Sequence, residues 1–273
     1  MNDTAFYDSA KRGPKTLEEF RDVIKYRHLI SAFVKRDITT RYKRSFLGVA
    51  WTMLNPLGTM LIMVIVFSQL FTTTPGYPVY VLSGLVVWNC FSQATTAAPQ
   101  TLLWSGSLMQ RVYVPRTTFA FTALGASFVN LVLSFVPLLI VMYATGKPPG
   151  PEIIVIPYAV LTLLGFSLGL GLLLSGAVAQ FPDILDIYGI LLTAWLYVSA
   201  IFYPYEIIPE QYRWWFFNLN PIYHLLLLFR DPIYYGNWPS LSHLAAATGV
   251  AVVTLVIGWF VFTSRADELA YRL

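Results

Sequence analysis

Few residues in this chain have both the type and the spacing that chemistry requires. Asp183 and Asp186, in Gln180-Phe-Pro-Asp-Ile-Leu-Asp186, could hold a divalent ion over a pyrophosphate, but no basic partner accompanies them. Gly146-Lys-Pro-Pro-Gly150 lacks the Gly-x4-Gly-Lys-Ser/Thr spacing that wraps backbone N–H groups round a nucleotide. His28, His224 and His243 are scattered, so they suggest no metal site. The single cysteine, Cys90, has no disulfide partner and reads as a small buried hydrophobe in a helix. No His-Glu-x-x-His or Gly-x-Ser-x-Gly motif is present. The apolar runs carry no carboxylate either, and ion-coupled transporters usually need a protonatable group near the bilayer midplane. A chain that moves something without relaying protons or hydrolysing ATP must draw its energy from a partner.

The elements that would position any site are membrane helices. Of 273 residues, 56% are hydrophobic and only 12% charged, with a mean hydropathy of +0.60. Soluble domains average about 25% charged residues, so a water-facing surface is excluded. The 66 residues between Arg44 and Arg111 carry no charge, nor do the 30 between Arg116 and Lys147 or the 30 between Glu152 and Asp183. Runs of this length are not the ten-residue alternation of an outer-membrane barrel. At about 20 apolar residues per crossing, six spans are expected. They fall near 48–71, 78–98, 117–144, 153–179, 187–203 and 241–263. This predicts an all-α polytopic membrane protein, with residues 1–45 as a cytoplasmic tail and 46–273 as the transmembrane domain.

Lys and Arg placement orients the spans. Eleven lie in the N-terminal tail, and with six spans Arg111, Arg116, Arg265 and Arg272 fall on the same side. Only Lys147, Arg213 and Arg230 fall opposite. Both termini are therefore expected in the cytoplasm, without a signal peptide. The net charge of +4 is a topology signal and implies no nucleic acid.

Ahead of the first span, Thr16-Leu-Glu-Glu19 fits a capping box. Leu17, Phe20, Ile24, Ile30 and Val34 follow near helical spacing, which predicts an amphipathic helix from Thr16 to about Arg36. Such a helix lies among lipid headgroups or packs against a partner. Two basic stretches read as docking surfaces. One holds Arg36, Arg41, Tyr42, Lys43 and Arg44, and could equally be an ordinary basic flank of a span. The other holds Gln110, Arg111, Val112, Tyr113, Pro115 and Arg116, where Pro115 ends a short helix and forces Val114 toward an extended backbone.

Between Tyr197 and Trp238 stand fourteen aromatic residues, broken by Pro204, Pro209, Pro221 and Pro232. An interfacial belt needs only a residue or two per span end. This density predicts short re-entrant helices on the external face. Irregular backbone at membrane depth survives only when buried in protein or lining a wet cavity. Aromatic faces stack on the C–H faces of sugars, and Tyr203, Trp214, Trp215 and Tyr223 are the candidates to line a glycan conduit. Gly165, Gly169 and Gly171 permit close helix approach, within the subunit or between copies.

The pattern Arg-Tyr-x-x-Ser-x-Leu-Gly-x-x-Trp-x4-Pro from Arg41 to Pro56, with Gln110–Arg116, resembles the permease subunit of ABC-2 type polysaccharide exporters. These are the O-antigen, capsule and teichoic-acid transporters of bacterial envelopes, and the likeness extends over nearly the whole chain. It implies a homodimer working with two copies of a separate ATPase, which supplies the site for ATP and Mg. The cargo would be a lipid-linked glycan and the location the bacterial inner membrane. Gln110–Arg116 would match the family's coupling helix. Alternatives are an ABC-2 drug or lipid exporter, an integral membrane glycan-modifying transferase centred on Asp183 and Asp186, and a stand-alone channel.

Overall fold

The computed structural model describes residues 15–43, 45–67, 74–105 and 114–264. Among these the secondary structure is helical throughout. The sequence suggests one helix before the first span; two are found, α1 (Lys15–Lys25) and α2 (Arg27–Tyr42), broken at Tyr26. Lys15, the first described residue, is already helical. Glu19 reaches across to the Thr117 hydroxyl (2.8 Å), a use of that carboxylate that the capping-box reading does not anticipate.

The remaining long helices are α3 (Ala50–Phe67), α4 (Tyr77–Trp104), α5 (Thr117–Ala144), α6 (Ile156–Val178), α7 (Ile184–Val198) and α10 (Leu241–Ser264). They occupy the places of the six expected spans. Four are long and apolar enough to cross a bilayer by length and composition: α3, α5, α10, and α6 with the 3-10 turn Pro151–Val155 before it. The other two depart from expectation for different reasons. α7 has 15 residues, roughly 22 Å at 1.5 Å per residue, short of a hydrocarbon core about 30 Å thick. α4 is long and uncharged but rich in Ser, Thr, Asn and Gln. Its hydroxyls return to carbonyls of their own helix, as Ser83 does to Tyr80 (2.9 Å) and Thr95 to Phe91 (2.9 Å).

α4 can carry those groups because it is the central helix, buried along most of its length and packed by α3, α5, α6 and α7. It also runs through Pro99 to Trp104, beyond the expected end of the span near residue 98. Gly169 settles where the small-residue face lies. A Cβ there would sit 2.5 Å from the Thr254–Leu255 backbone, so α6 crosses α10 in backbone contact within one subunit. Gly171 faces Ala98 of α4, while Gly165 faces open space.

Between α7 and α10 the chain makes two short helices, α8 (Glu210–Arg213) and α9 (Pro221–Arg230). Wider turns follow them at Trp214–Asn218 and Asp231–Tyr235. Prolines set these ends: Pro209 precedes α8, and Pro221 opens α9 where its missing N–H costs nothing. Asn220 caps α9, accepting from the Ile222 N–H (3.1 Å) and from Trp195 Nε1 (2.8 Å), and donating to Ser199 Oγ (3.0 Å). One amide thus pins α9 to α7. Every residue from Ile222 to Arg230 is buried, the condition under which a broken helix is stable beside a membrane.

Candidate functional site

At the end of the bundle where α5 begins and α10 finishes, α1 and α2 lie against the body. Trp259 Nε1 donates to the Thr16 carbonyl (3.3 Å), and Phe20 meets the Trp259 ring edge-on. Phe33 stacks on Phe119 with ring centroids 6.2 Å apart, and Val34 fills the space over Gly125. Part of the apolar stripe expected to meet lipid headgroups or a partner is therefore spent on the chain's own helices. Pro115 is buried here and Arg116 is half-buried at the start of α5. Gln110, Arg111, Val112, Tyr113 and Arg44 lie outside the described residues.

The other docking candidates sit at the far end of α2. Arg36 pairs with Asp37 (3.0 Å) and covers the Phe33 ring at 4.8 Å. Arg41 and Lys43 are exposed. Arg41 and Tyr42 line a cavity with α3, α4 and α5, away from the α1 contact that Arg116 adjoins. Asp183 and Asp186 are both exposed, and no group of three metal-binding side chains occurs among the described residues.

The opposite end is aromatic. Trp214 and Trp215 are 55% and 63% exposed, their rings edge-to-face at 5.0 Å. Tyr203 donates to the Tyr197 carbonyl (2.6 Å) and, with Tyr197 and Phe216, lines an open apolar groove of about 490 Å³. Tyr223 differs from these three. It is only 9% exposed and packs on Phe217 at 4.5 Å, so it backs the surface rather than forming it. Burial pushes the Tyr223 phenol upward, so it remains neutral at physiological pH.

Arg230 holds this end together. It is 1% exposed and has no carboxylate partner among the described residues. Nη1 donates to the Ala200 carbonyl (2.8 Å) and the Tyr80 hydroxyl (2.9 Å), and Nη2 donates to the Ile201 carbonyl (2.8 Å). Ala200 adopts φ 51°, the left-handed turn that aims these two carbonyls at the guanidinium. Gly84 makes room for it, since a Cβ there would lie 2.9 Å from Nη2. Nearby, Lys147 Nζ donates to the Pro75 carbonyl (2.9 Å) and sits 4.1 Å from the Tyr234 ring centre, and burial lowers its pKa. By sequence alone Arg230 and Lys147 are charges that orient the spans. A lone arginine ending His-Leu-Leu-Leu-Leu-Phe was the available signal that Arg230 is buried.

The family model for the ABC-2 type transporter matches residues 28–234. The chain belongs to the ABC-2 type transporter family. It is a multi-pass membrane permease, and its 273 residues contain no ATPase domain. It is 30% identical over 252 residues to the O-antigen export system permease protein RfbA of Myxococcus xanthus, covering 92% of this chain and 97% of that one. It is 28% identical over 250 residues to the polysialic acid transport protein KpsM of Escherichia coli, at 88% and 94% coverage. To the capsule polysaccharide export inner-membrane protein CtrC of Neisseria meningitidis it is 24% identical over 219 residues, covering 77% and 80%.

Proposed function

We propose that this chain is the membrane-spanning subunit of an ATP-driven exporter that carries a lipid-linked polysaccharide of O-antigen or capsule type across the bacterial inner membrane. It crosses the membrane six times with both termini in the cytoplasm. Two copies form the channel and associate with two copies of an ATPase, which uses ATP and Mg. The observation that carries this reading is the match to an O-antigen export permease along 97% of that protein's length, alongside two further relatives named for polysaccharide transport. The aromatic end supports it. Trp214, Trp215 and Tyr203 offer sugar-stacking faces, and Tyr223 braces them from behind. Weak repeated contacts of this kind suit a polymer that must slide. Gln110–Arg116 couples to the ATPase, with Arg36, Arg41, Tyr42, Lys43 and Arg44 as a second docking stretch.

A tagged chain should bring an ATPase with it through purification. In sealed vesicles that complex should move a radiolabelled lipid-linked O-polysaccharide when ATP is added. Hydrolysis of ATP without glycan movement would overturn the reading. In the same assay, Arg111→Glu combined with Arg116→Glu should insert normally yet abolish export. Trp214→Ala and Trp215→Ala should slow export per assembled complex, whereas loss only in proportion to assembled protein would make them belt residues.

A further inference from the structure

Between α3, α4 and α5 lies a cavity of about 220 Å³ whose polar lining no requirement of folding explains. Its walls include Arg41, Asn55, Asn89, Gln93, Asn130 and Ser134. Asn130 is buried at the back of this cavity, Asn89 and Gln93 are partly buried, and Asn55 and Arg41 are exposed at its mouth; beside hydrocarbon such groups are costly unless each finds a partner. Only one pairing is made among them, Asn130 Nδ2 donating to Gln93 Oε1 at 2.8 Å. Asn130 is 7% exposed, and its Oδ1 has no hydrogen-bond partner. Asn55 and Asn89 make no side-chain hydrogen bond to any described residue; each contributes only its backbone carbonyl, to Thr59 and Ser92. Arg41 is the one charged residue of the lining and has no acidic partner among the described residues.

This set of groups has a definite complement. A guanidinium without a carboxylate binds phosphate through two parallel N–H donors. Carboxamides present a donor and an acceptor together, which matches the paired hydroxyls of a sugar. Trp51, also in the wall, adds an aromatic face for the C–H side of a ring. The volume lies below the roughly 300–1,000 Å³ of sites for drug-sized ligands, so it admits one sugar with its phosphate and no polymer. We propose that this cavity receives the phosphosugar head of the lipid-linked substrate, Arg41 taking the phosphate in place of an ATPase contact and the amides of Asn55, Asn89 and Gln93 the hydroxyls of the first sugar. Asn130 is the positioning residue, holding Gln93 in place. The assignment rests on the export reading above and adds to it a loading site separate from the aromatic end.

The test uses the assembled permease–ATPase complex in lipid nanodiscs, with tritiated farnesyl-diphosphate-linked N-acetylglucosamine as the probe. Arg41→Gln should weaken binding of this probe and of farnesyl diphosphate alike, by about tenfold, the change that 1.4 kcal/mol produces. Asn89→Leu, which places an apolar side chain where hydrocarbon tolerates it, should weaken the glycosylated probe about tenfold and leave farnesyl diphosphate unchanged. Asn89→Gln, which restores a carboxamide, should recover most of the loss. Free N-acetylglucosamine 1-phosphate should compete in wild type and fail to compete in Asn89→Leu, which separates the head group from the lipid tail as the source of affinity. Equal binding by wild type and variants, or no saturable binding by wild type, overturns the site and leaves the cavity to water. Export by the same wild-type preparation keeps the two ideas apart: glycan movement with unaltered variant binding removes only the loading site, whereas no glycan movement removes the reading beneath it.

Discussion

Arg230 and Asp231 are neighbours of opposite charge that do not compensate each other. The guanidinium is committed to two carbonyls and a phenol, and the carboxyl is left with burial as the only influence on it. Burial lifts Asp231 from its ordinary 3.8 to about 6. Between those two pH values the folded chain holds a proton that the unfolded chain has released, so folding is favoured at the acid end and the advantage fades as pH rises through about 6. At neutral pH the ionised carboxylate is a standing cost. Asp231→Asn removes the ionisation and keeps the shape. Its melting temperature should exceed wild type at about pH 7.5 and converge with it near pH 4. A shift of equal size at both pH values would mean that charge burial is not the cause.

At the scale of elements, α6 and α10 cross in backbone contact at Gly169. Gly169→Ala would force a methyl group into the Thr254–Leu255 backbone and should destabilise by about 1–3 kcal/mol, read as lost folded yield or a lower melting temperature in detergent. Gly165→Ala, on the same helix but facing open space, should be neutral or slightly stabilising, since alanine favours helix by up to about 1 kcal/mol over glycine. If both variants behave alike, backbone approach does not hold this pair together. The two glycines also show what a single sequence can express. Charge-free runs mark the spans because the bilayer tests length and polarity locally. Glycine spacing marks a face for close approach, but not the helix that answers it, because the answer lies in Thr254, some 85 positions away. Pro99 misled for a related reason, reading as the end of a span although α4 carries on through it. The aromatic surface was legible as density and proline punctuation. The burial of Tyr223 was not, since it depends on Phe217 folding back upon it. The amides of the cavity went unread because Asn and Gln in a span look unremarkable singly and converge only when three helices are packed.

For the whole molecule, the two ends of the bundle differ in what covers them: a pair of helices with basic side chains at one, proline-broken aromatic turns at the other. If the basic end is cytoplasmic, Lys25→Cys and Lys35→Cys in a Cys90→Ser background should react with an impermeant maleimide in inside-out vesicles and be protected in right-side-out ones. Trp238→Cys should do the reverse, and labelling of position 25 or 35 from outside would invert the topology. The Arg230 contacts have a further consequence, for the order in which the structure can come into being. They join residue 230 to Tyr80 across 150 positions and to Ala200 across 30. A chain is made from its N-terminus and inserted as it is made. Tyr80 therefore waits, its hydroxyl without this partner, while five further helices are synthesised. The turn at Ala200 waits in the same way, and the backbone contact at Gly169 closes later still, when α10 arrives. The early helices can pack on one another first, and these two ties close in turn as the last fifth of the chain arrives.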